Sequence, residues 1–242
     1  MTGPGIRTKI VLALLAVTAL SGIAAGTSSA TSTTAFTCAG TSGGGGFSDS
    51  HCVNKVTDGA SFFHSGFTGS TALTVTNAGT PATFKANIFG VETSFVCTTV
   101  TGTGTIENFP GSLTVEMSAK GTGELTFSGC SFEQIPGCTI SGGSFTTKPL
   151  SFGTAGTMTM TVFPTTGTVL AEVAVDGCGS PSLNRTWLIE GTVTFAPHGT
   201  TLTSTHAEVT GQNSLTLDGH KAGLTSSFVI SGPSGAGFAF TT

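Results

Sequence analysis

The chain has 242 residues, only 8% of them are charged, and its formal net charge is −4. This charged fraction is well under the roughly 25% of an ordinary soluble domain, so we expect a surface built largely from Thr, Ser, Asn and Gly. Clustered Lys and Arg side chains are needed to displace counterions from phosphates, and because the basic residues beyond the first ten positions are scattered singly, the composition excludes nucleic acid as a partner.

Residues 1–30 have the pattern of a secretory signal peptide. Arg7 and Lys9 precede the apolar run 10–25, which is shorter than the ~20 residues that a membrane-spanning helix needs. Small residues then lead to Ala30, after which we expect cleavage of this signal helix, with Ala25 or Gly26 as the alternative sites. Six basic and twelve acidic residues would remain after cleavage, so the mature formal charge is −6. We expect no transmembrane anchor in the mature protein. We predict a secreted, extracellular protein whose partner, if any, lies at the cell surface or outside the cell.

Residues 31–80 differ in composition from the remainder of the mature chain. A glycine tract lies between Cys38 and Cys52, and the stretch that follows contains Gly, Ser and Phe with few clean alternations. This composition favours a disulfide-pinned N-terminal segment that packs along a larger body over a domain with a core of its own.

Residues 81–242 predict an all-β body. In SLTVEMSAK (112–120), apolar residues alternate with polar ones, as they do in a half-buried antiparallel strand. Similar runs recur with Gly, Pro, Asn or Asp between nearly every pair, and the Asp-Gly of LDGH (217–220) predicts a hairpin turn. Helical periodicity is almost absent beyond the signal. The expected fold is an antiparallel β-sandwich or barrel of many short strands.

The chain has six cysteines, and an even number in an exported protein predicts three disulfides. Their spacing matches neither paired zinc ligands nor a Cys-x-x-Cys redox motif, so we expect no metal or redox role. Proximity in the sequence predicts that Cys38 pairs with Cys52 and Cys130 with Cys138, which leaves Cys97 with Cys178.

Several cysteine-containing motifs carry a family resemblance. FTC is followed by HC, a strand that ends at Cys97 is followed by TGTGTI, and LTFSGC, GCTISGGSFTTKPLSF and a late GC before GTVTF come after them. Together these motifs, over residues 36–195, resemble a group of uncharacterised secreted, disulfide-containing proteins of high-GC Gram-positive bacteria. The resemblance implies no activity.

Motifs that would carry chemistry are weak. The G-x-S-x-G match around Ser42 lies in the glycine tract, without the strand and helix that flank a nucleophile elbow. Two carboxylate pairs could face each other across hairpins, Glu116 with Glu124 and Glu172 with Glu190, but the alternation places each Glu outward. The histidines are dispersed: His51, His64, His198, His206 and His220. We therefore predict no catalytic residue, no cofactor, no metal site and no enzymatic activity.

The functional expectation is a structural or interaction role outside the cell or in the cell envelope. The alternative is a β-barrel or sandwich that binds a small apolar molecule in its interior. A wide cavity lined by aromatic rings would favour this alternative over a packed core. The candidate rings are Phe84, Phe89, Phe95 and Phe127.

Overall fold

A computed structural model describes residues 34–40, 46–50, 52, 54–65, 67, 69–88, 90–108, 119–155, 159–198, 201–204, 214–232 and 237–241. The signal region and the cleavage site expected after Ala30 lie outside these residues, as does most of the strand expected at 112–120. Strands make up 69% and helices 4% of the structure, and the sheets are antiparallel, which confirms the predicted all-β class. No helix in the described part of the chain is long and apolar enough to cross a membrane.

The described residues form nineteen strands and two short 3₁₀ helices. In chain order, the strands are β1 (Thr34–Gly40), β2 (Gly46–Phe47), β3 (Lys55–Val56), β4 (Phe62–Ser65), β5 (Thr71–Asn77), β6 (Ala82–Ile88), β7 (Val91–Asn108), β8 (Ala119–Phe132), β9 (Thr139–Ile140), β10 (Ser144–Thr146), β11 (Leu150–Ala155), β12 (Thr159–Pro164), β13 (Val169–Asp176), β14 (Thr186–Glu190), β15 (Val193–His198), β16 (Thr201–Ser204), β17 (Thr216–Leu217), β18 (His220–Ser231) and β19 (Phe238–Thr241). The 3₁₀ helices are Ser141–Gly143 and Pro181–Leu183.

Fourteen of these strands form one large sheet that follows the chain as an up-and-down meander. Consecutive short strands share neighbours and so continue one another, which gives eight long segments. In order, the segments are β5 with β6, β7, β8, β9 to β11, β12 with β13, β14 with β15, β16 with β17, and β18. Each segment pairs antiparallel with the next.

The last segment pairs with the first, so the large sheet closes into a barrel. β18 pairs with β5, where Ile230 lies opposite Val75, and with β6, where Leu224 lies opposite Phe84. The other side of β18 pairs with β16 and β17. Of the two architectures left open by the sequence, the pairing therefore gives the barrel, with a topology typical of up-and-down barrels.

Alternation along the segments fills the barrel interior with apolar side chains. In β6, Phe84 and Ala86 are buried while the intervening Lys85 reaches the surface, and β13 repeats the pattern. The largest fully buried side chain is Trp187 on β14, whose indole nitrogen donates a hydrogen bond to the carbonyl oxygen of Leu183 at 3.1 Å. One continuous apolar core therefore holds the segments together.

Inward-facing glycines let β7 and β8 coil tightly against each other. Gly104 on β7 lies opposite Gly123 on β8, and a Cβ atom on Gly123 would lie 2.7 Å from the carbonyl oxygen of Thr103. A Cβ atom on Gly102 would lie equally close to the carbonyl oxygen of Glu124, at 2.7 Å. Glycine within strands marks such bends at barrel corners. β7 is 18 residues long, which is much longer than the short strands expected.

The remaining five strands form a small sheet in the order β19, β1, β4, β2, β3. The sheet joins both ends of the described chain, since β1 pairs with β19. It contacts the barrel through Asn108, whose amide side chain accepts a hydrogen bond from the Ala35 nitrogen and donates one to the Ala35 oxygen, both at 2.9 Å. Phe238 on β19 is fully buried in the main core.

The division of the strands between the two sheets does not follow their order in the chain. β5 begins at Thr71 and belongs to the barrel, whereas β19, near the other end, belongs to the small sheet. The small sheet keeps a minor apolar cluster around the Cys38–Cys52 disulfide, with Phe47 and Phe62 packed against it.

Candidate functional site

All six cysteines are bonded, in three disulfides, which is the number that the sequence predicts, and the described chain has no free thiol. The bond between Cys38 and Cys52 is the expected one and lies in the small sheet. The other two expected pairs, Cys130 with Cys138 and Cys97 with Cys178, are wrong. The structure joins Cys97 to Cys130 and Cys138 to Cys178.

Strand register explains which of the four barrel cysteines form disulfides with each other. Cys97 on β7 and Cys130 on β8 are direct cross-strand partners, with Cα atoms 3.9 Å apart. Pairing of Ser131 with Thr139 places Cys138 level with Phe132 rather than with Cys130. Proximity along the sequence is therefore overridden by the pairing of long strands, which brings distant residues side by side.

The Cys138–Cys178 disulfide belongs to a polar corner at one end of the barrel. The Asp176 carboxylate accepts hydrogen bonds from the hydroxyls of Ser141 and Thr139. These two hydrogen bonds, Ser141 first, lower the pKa of Asp176, because they stabilise the charged carboxylate. Asn184 closes the loop by accepting from the Cys178 nitrogen at 2.8 Å. These contacts hold the corner in place.

The carboxylate pairs considered in the sequence do not meet as pairs where the structure describes them. Glu172 forms an ion pair with Lys148 at 2.8 Å, and Glu190 accepts a hydrogen bond from Thr168 at 2.8 Å. Glu124 is exposed, and its expected partner Glu116 lies outside the described residues. Both Glu172 and Glu190 thus have structural partners.

The structure describes only some of the nucleophile and metal candidates. Ser42, His51 and His206 lie outside the described residues, and the structure describes only the backbone of the strand residues His64 and His198. His220 opens β18 at the end of the Asp-Gly turn. Within the described ranges, no group of three or more His, Cys, Asp or Glu residues could hold a metal ion.

Aromatic rings fill the barrel interior where the alternative function requires a cavity. Phe84 stacks on Phe95 with ring centroids 4.8 Å apart, and Phe127 stacks on Phe145 at 4.9 Å. The interior cavity beside Phe84, Phe127 and Phe145 has a volume of about 30 Å³, and a neighbouring one beside Phe152 about 50 Å³. Ligand pockets usually measure roughly 300–1,000 Å³. Phe89 lies outside the described residues.

The outer surface of the barrel carries an ordered set of threonines, which we call the threonine face. Its middle row runs across four strands, with Thr76 opposite Thr101, Thr101 opposite Thr126 and Thr126 opposite Thr146. The face consists of Thr74, Thr76, Thr101, Thr103, Thr105, Thr122, Thr126 and Thr146. Threonine is favoured in strands, and threonines that lie opposite each other stabilise strand pairing. The threonine face therefore helps to stabilise the sheet.

A groove of about 420 Å³ lies at one end of the threonine face, and we call it the outer groove. Its position follows from one row of outward side chains, in which Thr105, Thr122, Ser151 and Phe163 lie opposite one another across β7, β8, β11 and β12. Among the described residues, the lining consists of Ser70, Thr105, Glu107, Lys120, Gly121, Thr122, Ser151, Phe152 and Phe163.

Hydrogen-bonding groups and one aromatic ring converge on the outer groove. The Thr105 and Thr122 hydroxyl oxygens are 3.4 Å apart, and the Lys120 ammonium lies 3.0 Å from the Glu107 carboxylate. Both charged side chains are about two-fifths exposed, at 43% for Lys120 and 40% for Glu107. Phe163 is half-buried. The groove therefore presents donors, acceptors and an apolar surface with no net charge from its ion pair.

The outer groove is not apparent from the sequence. Its residues come from separated stretches of the chain, and each stretch alone reads as an ordinary alternating strand. The register of four strands is the information that brings them together.

Comparisons with models of protein families, with curated protein sequences and with solved structures return no match to this chain. The all-β fold with three disulfides is compatible with a secreted structural or binding protein. Disulfides of this number are typical of proteins that fold in an oxidising compartment.

Proposed function

We propose that this protein is secreted or held at the cell envelope, and that it has a structural or interaction role without enzymatic activity. Its partners are at the cell surface or outside the cell, and nucleic acid is not among them. The signal pattern at 1–30, the three disulfides and the resemblance at 36–195 support the extracellular location.

The observation that carries the interaction role is the contrast between the inside and the outside of the barrel. The interior cavities of about 30 and 50 Å³ are too small for a ligand, whereas the outer groove of about 420 Å³ is in the usual range. A partner is therefore contacted by the outer surface, where hydroxyl groups replace the charges of an ordinary protein.

The location is tested by N-terminal sequencing of the protein recovered from culture medium. We expect a first residue within 25–31, because the apolar run ends there and small residues follow. A protein that stays with the cells and still begins at Met1 would contradict secretion.

The binding mode is tested with the long-chain fatty acid palmitate, an apolar probe that would need the barrel interior. We expect no saturable binding of palmitate and no change in the fluorescence of the buried Trp187, since the rings around the interior cavities are packed against each other. Saturable binding that changes the Trp187 emission would favour the alternative of an apolar ligand carrier.

A further inference from the structure

The outer groove brings several kinds of hydrogen-bonding groups together on the closed barrel. Thr105 and Thr122 form one wall, and Ser151 continues the same row on β11, where its hydroxyl lies 3.1 Å from that of Thr165. The Glu107 and Lys120 ion pair forms the next row outward along β7 and β8. Hydroxyl, carboxylate and ammonium groups are thus presented side by side on rigid strands.

An apolar surface lies beside these polar groups. Phe163 on β12 is opposite Ser151, and its half-buried ring lines the groove. The groove also reaches the edge of Phe152, which packs against the backbone of Gly121 because Gly121 has no side chain. A ligand that fits must therefore bury C–H groups on one side and satisfy hydrogen bonds on the other.

The charges in the groove exclude several ligand classes. An anion such as phosphate would have to compete with Glu107 for Lys120, which lies 3.0 Å from it. A divalent cation would need several oxygen ligands of which carboxylates are the main source, and Glu107 is the one carboxylate among the described residues of the lining. A purely apolar molecule would desolvate the hydroxyls without replacing their hydrogen bonds.

We propose that the outer groove binds a neutral carbohydrate, a short run of hexose units in an oligosaccharide or polysaccharide. Closely spaced sugar hydroxyls donate to Glu107 and accept from Lys120, while Thr122 and Ser151 hydrogen-bond in either direction. The C–H face of a sugar ring packs on Phe163. This inference rests on the proposed interaction role and names the ligand class for that role.

The experiment is a titration of the ¹⁵N-labelled full-length secreted protein, disulfides intact, with maltotriose and with cellotriose. Backbone amide shifts are followed by NMR. We expect saturable shifts for one of the two sugars centred on Thr105, Thr122, Ser151 and Phe163, with a millimolar to micromolar dissociation constant. Co-sedimentation with insoluble starch and cellulose then distinguishes a polysaccharide from a free oligosaccharide as the source.

Two threonines on the same strand provide a matched pair of variants. Thr122→Val removes a groove hydroxyl with little change in shape, and we expect about threefold to tenfold weaker binding. Thr126→Val makes the same change outside the groove, at a hydroxyl 3.0 Å from that of Thr146, and should leave the affinity unchanged. Phe163→Leu keeps an apolar side chain without the ring and should weaken binding by about threefold to tenfold as well.

The outcomes separate this inference from the proposed function. No shifts with either trisaccharide, equal weakening by Thr122→Val and Thr126→Val, or groove shifts with inorganic phosphate instead would each overturn carbohydrate binding, and the extracellular interaction role would stand. A trisaccharide that binds and is recovered shortened would support the ligand class but contradict the absence of enzymatic activity.

Discussion

Single glycines decide where the barrel can bend and what can pack inside it. Gly121 on β8 is covered by the ring of Phe152, and a Cβ atom there would overlap both that ring and the carbonyl oxygen of Thr105. The position tolerates no side chain, although the backbone itself is extended. Alternating sequence around it, KGTGELTF, gives no sign of this restriction.

Gly121→Ala is expected to destabilise the protein by about 1–3 kcal/mol, because the added methyl group forces Phe152 or a strand to shift. Gly179→Ala is the matched control, since nothing lies within 4 Å of the position of its Cβ atom. Its effect should stay within about 0.5 kcal/mol. Urea unfolding of the two variants measures the difference, and equal stabilities would contradict the packing of Phe152 on Gly121.

Ser141→Ala is expected to raise the pKa of Asp176 toward its ordinary value, because the variant removes the hydrogen bond that contributes most to lowering it. A lowered folded-state pKa contributes stability above the unfolded-state pKa, and this stability is lost as the pH falls through the folded-state value. The variant should therefore lose less stability on acidification.

A carboxyl ¹³C NMR titration of Asp176 measures the change. Ser144→Ala, in the neighbouring strand β10, is the control and should leave the titration of Asp176 unaltered. An unchanged titration in Ser141→Ala would contradict a hydrogen bond from the Ser141 hydroxyl to the Asp176 carboxylate.

At the scale of strands and turns, the sequence predicts the conformation of a turn, but it does not predict which strands pair with each other. The Asp-Gly hairpin is confirmed, since Asp218 and Gly219 both have positive φ, at 52° and 78°, and link β17 to β18. Positive φ at both positions is what this dipeptide favours. The Asp-Gly dipeptide therefore predicts the hairpin turn without any information from the rest of the chain.

Disulfide partners and the outer groove depend instead on register between distant strands. Cys97 faces Cys130 because thirteen pairs of β7 and β8 residues align, and no local pattern specifies that alignment. Ser151 and Phe163 join Thr122 for the same reason. The all-β class was therefore predictable, whereas the two barrel disulfides and the candidate site were not.

Replacing both Cys97 and Cys130 by alanine is expected to destabilise the barrel by about 4 kcal/mol. Replacing both Cys138 and Cys178 by alanine should have an effect of the same size. The bonds close loops with sequence separations of 33 and 40, and the chain-entropy model gives this magnitude for such loops. The Cys38–Cys52 bond, with a separation of 14, should contribute about 3 kcal/mol, confined to the small sheet.

Peptide mapping of the unreduced protein comes first, and unfolding of the three alanine pairs follows. We expect one cross-linked peptide containing Cys97 and Cys130 and another containing Cys138 and Cys178. A peptide linking Cys130 to Cys138 would contradict the register of β7 with β8.

At the scale of the whole molecule, the barrel and the small sheet are both closed where the two ends of the described chain meet. Thr74 on the first barrel segment donates a hydrogen bond to the Ser231 oxygen on the last, across a sequence separation of 157. Beyond them, β1 and β19 pair in the small sheet, and the Cys38 nitrogen donates to the Gly237 oxygen at 2.7 Å. Barrel closure and the small sheet thus both depend on residues from the two ends of the described chain.

Phe238→Ala is expected to destabilise the protein by about 3–5 kcal/mol, because this fully buried ring packs edge-on against Phe67 at a centroid distance of 5.3 Å. Phe63→Ala, at a ring that is 38% exposed in the same small sheet, is the control and should cost much less. Chemical denaturation compares the two. A small effect of Phe238→Ala would mean that β19 contributes little to the core.

Closure of the barrel also leaves few unpaired strand edges in the described part of a chain that carries few charges. Electrostatic repulsion between copies is weak at such a composition, and unpaired strand edges are where copies join into aggregates. Each barrel segment is paired on both sides, and β3, at one edge of the small sheet, has two residues including the charged Lys55. We therefore expect an opened barrel, whose strand edges would be unpaired, to aggregate more readily than the closed barrel.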